Sequence, residues 1–162
     1  MRYKVVPQSR GVAFLTDVRR AVPLVPGSVE DCCTRIRDET DLASRDVARE
    51  WLTFAEALEL VEETPRGYRR LRTEPDREAL ADAFESNVFG ARELGEALED
   101  GPLDVDAAFR RLRDRIPRWE RNRYADWEAE WRERTERLLE WSVSLDLATT
   151  VDGRYDRARP GE

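Results

Sequence analysis

The stretch LELVEETPRGYRRL, Leu58 to Leu71, decides how the chain is read. Its two short runs, LVEE and YRRL, have β character, and TPRG separates them. Proline followed two residues later by glycine is turn chemistry, so the segment predicts a β-hairpin. A fainter version, LDLATTVDGRY, spans Leu145 to Tyr155. A shift of 87 residues places Trp51 on Leu138, Leu52 on Leu139, Phe54 on Trp141, Leu58 on Leu145 and Leu60 on Leu147. Two amphipathic helices can be slid into such register by chance. The same helix, strand and turn order follows the match, which favours a duplication or a tandem of similar modules. Gly67 and Gly153 fall one residue out of step, as a single deletion in the turn would explain.

Three helices lead into the first hairpin. In RGVAFLTDVRRAV, Val12, Leu15, Val18 and Arg19 share helical spacing, with Phe14 and Val22 beside the stripe, until PLVPGS ends it. Ser28, followed by Glu30 and Asp31, opens VEDCCTRIRDET as a capping residue and turns Val29, Cys32, Cys33 and Ile36 inward. Ser44 caps RDVAREWLTFAEAL, with Val47, Trp51, Phe54, Ala55 and Leu58 on one face and Arg45, Arg49 and Thr53 on the other. Beyond the hairpin, Thr73 with Asp76 offers a capping pair for REALADAFESNVFG, and Pro75 suits a first helical turn. That sets a boundary at Arg72 to Pro75 and two modules, 1–72 and 73–162. ARELGEALED, a helix DVDAAFRRLRDRI ended by Pro117, and a long helix from about Tyr124 to Leu145 complete the second.

Three helices followed by a hairpin, centred on WLTFAEALELVEETPRGY, closely resembles the recognition helix and wing of archaeal and bacterial winged helix-turn-helix domains. The resemblance covers about 60 residues, Arg10 to Arg72. It implies a mainly α fold with small β-hairpin wings (α+β), built as two tandem winged-helix-like modules. It also implies that the amino-terminal end of the recognition helix meets the bases of a DNA major groove while the wing reaches the backbone or minor groove.

Composition narrows the chemistry. Charged residues make up 39% of the chain, the net charge is −7, and only Lys4 among 28 basic residues is a lysine. An acidic, arginine-using, almost lysine-free chain resembles salt-adapted archaeal proteins, for which screening shortens electrostatic reach to a few ångströms. The absence of histidine excludes triads with a histidine base and histidine-bearing metal sites. The adjacent Cys32 and Cys33 supply half a zinc site at most and read as structural, one buried and one near the surface of a helix. No GxxxxGK[ST] or GxGxxG loop is present. The expectation is a non-catalytic protein with no cofactor or metal, cytoplasmic, with no membrane span and no signal sequence.

Against the acidic background the arginine clusters carry the functional signal. Arg45, Arg49 and Thr53 lie on the presumed recognition helix, and Arg66, Arg69, Arg70 and Arg72 decorate the wing. Arginine's planar fork binds phosphate, or the O6/N7 edge of guanine, with two hydrogen bonds at once. In the second module, RRLRDRIPRWERNR collects seven arginines against two acids, and Arg111, Arg115 and Arg118 are its candidate DNA contacts, with Trp119 and Tyr124 as flat surfaces between charges. The long helix pairs Glu128 with Arg132, Glu130 with Arg134 and Glu133 with Arg137 at a spacing of four on a solvated face. Its Trp127 and Trp131 are candidate interface residues for a second subunit or a protein partner. Two functions follow: a regulator that binds double-stranded DNA, its first wing making the contact, or a non-catalytic interaction module built from tandem winged helices.

Overall fold

A computed structural model describes residues 3–159, and contacts divide the chain into two compact units, 1–88 and 89–162. In the first unit, α1 (Gly11–Ala21), α2 (Val29–Glu39) and α3 (Arg45–Ala57) precede β1 (Val61–Thr64), β2 (Gly67–Arg70) and α4 (Arg77–Asn87). Serine hydroxyls accept from the third residue on at both expected caps, Ser28 from the Asp31 amide and Ser44 from the Val47 amide. The core of this unit is aromatic. Trp51, 1% exposed, meets Phe14 and Phe54 edge-on at 4.8 and 6.5 Å between ring centres. Val47, expected on this face, is 37% exposed, and Ala48 turns inward in its place. Cys32 and Cys33 are both buried, so neither lies near the surface, and burial pushes both thiols up from their ordinary values.

The hairpin is paired Val61 with Arg70, Glu62 with Arg69, Glu63 with Tyr68 and Thr64 with Gly67. A third short strand completes it: Gly27, just before α2, exchanges both backbone hydrogen bonds with Tyr68 at 2.8 Å. This close approach dictates the glycine that follows the turn. Gly67 has φ +127°, and a Cβ there would stand 2.2 Å from the Gly27 carbonyl oxygen. Arg19 fixes the strand's exit. Its buried guanidinium donates to the carbonyls of Leu71 at 2.6 Å and Arg72 at 3.3 Å.

The division between units falls after Val88, beyond the expected boundary at Arg72 to Pro75. The reason is packing: Phe84 of α4 meets Phe54 edge-on at 6.4 Å, and the Asn87 amide donates to the Ala57 carbonyl at 2.8 Å. The cap of α4 is Asp76, which accepts from the Ala79 amide at 2.8 Å, so Pro75 precedes the helix and Thr73 takes no part.

The second unit holds α5 (Ala91–Leu98), α6 (Val105–Arg113), the short α7 (Arg118–Arg121), α8 (Trp127–Ser144), β3 (Ala148–Val151) and β4 (Arg154–Arg157). The helix α6 ends before Pro117, and α8 begins at Trp127 under an Asp126 cap, later than the Tyr124 expected. At a shift of 87 residues the backbone hydrogen bonds of the helix end and the strand pairing recur. Leu60 N donates to Ala55 O and Leu147 N to Ser142 O; Glu59 and Asp146 both turn left-handed, at φ 63° and 62°. These are matching helix ends of the Schellman type. Leu103 pairs with Tyr155 as Gly27 does with Tyr68, and each of these bridge residues is followed by a capping residue, Ser28 or Asp104. The turns also have equal length, since Val151 pairs with Arg154 as Thr64 does with Gly67. No deletion separates the glycines; the turn types differ. Pro65 and Arg66 keep negative φ and leave the positive angle to Gly67, whereas Asp152 and Gly153 both have positive φ, as a type I′ turn requires.

Candidate nucleic-acid interface

The helix α3 and the wing lie side by side. Arg49, exposed on α3, is near enough to the Tyr68 hydroxyl on β2 to lower its pKa, against burial and a 3.0 Å hydrogen bond to Glu63 that together push it strongly upward. Among the expected contact residues the first unit makes a sharp division. Arg45 is engaged: its Nε lies 3.0 and 2.9 Å from the two carboxylate oxygens of Glu30 on α2, and its Nη1 is 3.6 Å from Asp46. The guanidinium holds the Glu30 carboxyl below its usual range. Arg69 is engaged as well, with Glu62 directly across the hairpin. Arg49, Arg66, Arg70 and Arg72 have no acidic partner within ion-pair distance among the described residues, and Thr53 is half-exposed on the same helix. Arg66 sits exposed at the turn, where its backbone amide donates to Thr64 Oγ1 at 3.1 Å.

The register of the hairpin already contained one of these neutralising pairs. A two-residue turn between Thr64 and Gly67 sets Glu62 opposite Arg69. Glu30 had no such signal, because its contact with Arg45 depends on how α2 crosses α3. Arg19 could have been noticed as a charged residue on an apolar stripe, the position of a buried anchor for backbone carbonyls.

In the second unit the arginine-rich run falls on α6 and on the connection to α8, not on the helix equivalent to α3. Arg111 pairs with Asp100, Arg113 with Glu128 at 3.5 Å and Arg123 with Glu120 at 3.4 Å. Arg121 donates to the carbonyls of Ile116 and Arg113 at 3.2 and 2.7 Å and lies 4.7 Å from the centre of the Trp127 ring. Arg115 and Arg118 are exposed. Trp127 is half-buried beneath Arg121 and Arg113, while Trp131 is 1% exposed, edge-on to Phe89 at 5.6 Å. Trp131 is thus a core residue of its own unit, not a surface for a partner.

Of the expected pairs on α8, Glu130 with Arg134 and Glu133 with Arg137 form, at 3.5 and 2.9 Å. Glu128 and Arg132 do not meet each other. They reach instead to Arg113 at 3.5 Å and Asp106 at 2.6 Å, so both tie α8 to α6. The second wing presents Thr149, Thr150, Val151 and Asp152 to solvent, with Arg154 as its exposed cation.

Among the described residues, no group of three or more histidine, cysteine, aspartate or glutamate side chains is placed to hold a metal ion, and no helix is long and apolar enough to cross a membrane. Comparison with curated proteins and with solved structures finds no match. A family model does match, over residues 1–161, and its description, a halobacterial double winged helix domain, agrees with the paired three-helix-and-hairpin units and with the acidic composition. The chain belongs to the halobacterial double winged helix domain family.

Proposed function

We propose that this protein is a non-catalytic DNA-binding regulator whose first unit makes the contact. The observation that carries the reading is the set of arginines with no acidic partner among the described residues, Arg49 on α3 and Arg66, Arg70 and Arg72 on and just after the wing, with α3 in contact with the wing through β1. Winged helices commonly place such a helix in the major groove and such a wing on the backbone. Arginines left unpaired by their own protein gain most from phosphate, because no existing ion pair must break first. The second unit, with most of its arginine cluster tied to its own acids and carbonyls, serves assembly.

The test separates the two classes of arginine. Binding to a labelled duplex is followed by fluorescence anisotropy for Arg66→Ala/Arg70→Ala and for Arg45→Ala/Arg69→Ala. The first double variant weakens binding by roughly tenfold or more, at about 1 kcal/mol for each arginine–phosphate pair removed, and the second is weakened less. Equal weakening of the two, or no binding by the unaltered protein, defeats the reading.

A second reading has its own support. The exposed side of α3 carries Asp46, Glu50 and Glu56 among its arginines, and mixed charge suits a protein partner better than a polyanion. On that reading the unaltered protein shows no duplex affinity at any salt at which it is folded.

A further inference from the structure

The two strands of the first wing have opposite character. β2 ends in arginine, whereas β1 is glutamate-rich and borders a groove of about 690 Å³. Among the described residues four carboxylates line this groove, Glu56, Glu59, Glu62 and Glu63, and one cation, Arg72. Leu71, Pro75 and Ala79 supply apolar surface on its other side. A groove with this charge repels phosphate, so of its lining residues only Arg72 serves the function proposed above.

Two of the carboxylates are held by tyrosine hydroxyls. Glu63 accepts from the Tyr68 hydroxyl at 3.0 Å, and Glu56 accepts from the Tyr3 hydroxyl through Oε1. The other oxygen of Glu56, Oε2, is sheltered from solvent and has no hydrogen-bond partner among the described residues. A sheltered carboxylate oxygen in this state is costly unless a donor arrives. Glu59 is exposed, its backbone set by the left-handed turn that ends α3. The adjoining strand is open as well. β2 is paired on both sides, by β1 and by Gly27, while among the described residues β1 is paired on one side only. An unpaired strand edge accepts an added extended chain, with backbone hydrogen bonds giving affinity and alternate side chains giving specificity.

We propose that the groove beside β1 docks an extended, basic segment of a partner protein, arginine or lysine side chains meeting Glu56, Glu59 and Glu63 and alternate apolar side chains covering Leu71 and Pro75. Charge complementarity selects this occupant. An acidic or neutral segment would leave the carboxylates facing like charge or bare apolar surface, and a nucleic acid would meet net negative charge along the whole groove.

The test uses the full chain, at salt that keeps its circular dichroism intact, and a fluorescent short peptide of alternating arginine and valine. Saturable binding is expected, with amide chemical-shift changes centred on residues 58–63 and 71–79. Glu56→Gln/Glu59→Gln/Glu63→Gln loses roughly tenfold or more in affinity, as three weakened ion pairs imply. Glu128→Gln/Glu133→Gln/Glu136→Gln, an equal change in net charge on the exposed side of α8, leaves the affinity within about twofold. Shift changes elsewhere, equal losses in both triple variants, or no saturable binding overturn the proposal. Duplex binding by the same variants reports on the DNA reading separately, because these glutamates contribute nothing favourable to it.

Discussion

Gly67 and Gly153 look equivalent in the sequence and carry different burdens. A side chain at Gly67 collides with the Gly27 carbonyl and strains a φ of +127°, whereas a Cβ at Gly153 meets nothing within 4 Å. Gly67→Ala is therefore expected to destabilise the first unit by at least about 2 kcal/mol, and Gly153→Ala to cost the second only about 1 kcal/mol of backbone strain. Chemical denaturation of both variants checks the difference. At this scale the sequence shows residue types well and pairings unevenly. The neutralisation of Arg69 by Glu62 follows from counting across a two-residue turn, but that of Arg45 by Glu30 needs the crossing of two helices. The interior position of Trp131, 1% exposed, likewise depends on which helices cover α8.

The ends of α3 and α8 repeat more faithfully than any side chain. Each closes with a non-glycine residue in the left-handed region, Glu59 at φ 63° and Asp146 at φ 62°. Glu59→Gly relieves that strain and is expected to raise stability by about 1 kcal/mol; Asp146→Gly gains less, since aspartate tolerates the conformation better. Thermal melts in matched salt measure both. Elements also show where local rules yield to tertiary contact. The spacing of Glu128 and Arg132 on one helix face favours their mutual pair, yet α6 offers each a closer counterion, Arg113 and Asp106. A tyrosine bonded to α3 adds an alkaline limit. The Tyr3 hydroxyl, hydrogen-bonded to Glu56, has its pKa pushed up to about 12 from 10.0. A folded value raised above the unfolded one gives stability that is present below about pH 10 and lost as pH rises towards 12. Urea midpoints between pH 9 and 12 should fall less steeply in Tyr3→Phe, with Tyr68, also shifted upward, supplying the remaining slope.

At the scale of the whole molecule, the double winged-helix architecture was legible because buried leucines and helix ends keep an 87-residue register through β3 and β4. The place where one unit gives way to the next was not, because α4 has an ordinary amphipathic pattern and tertiary contacts, Phe84 on Phe54 and Asn87 on Ala57, assign it to the first unit. Net charge is the weakest guide. A chain at −7 leaves Arg49 on α3 and three arginines on and just after the first wing with no acidic partner among the described residues, and spends most of the densest arginine run of its second unit on internal ties. The DNA-binding reading therefore rests on four residues, Arg49, Arg66, Arg70 and Arg72. The most direct measurement is the slope of log Kobs for duplex binding against log salt, for the unaltered protein and for Arg66→Ala/Arg70→Ala/Arg72→Ala. Each phosphate that the wing no longer neutralises should lower the magnitude of the slope by roughly one, about two to three in all. An unchanged slope, or a slope near zero in the unaltered protein, contradicts that reading.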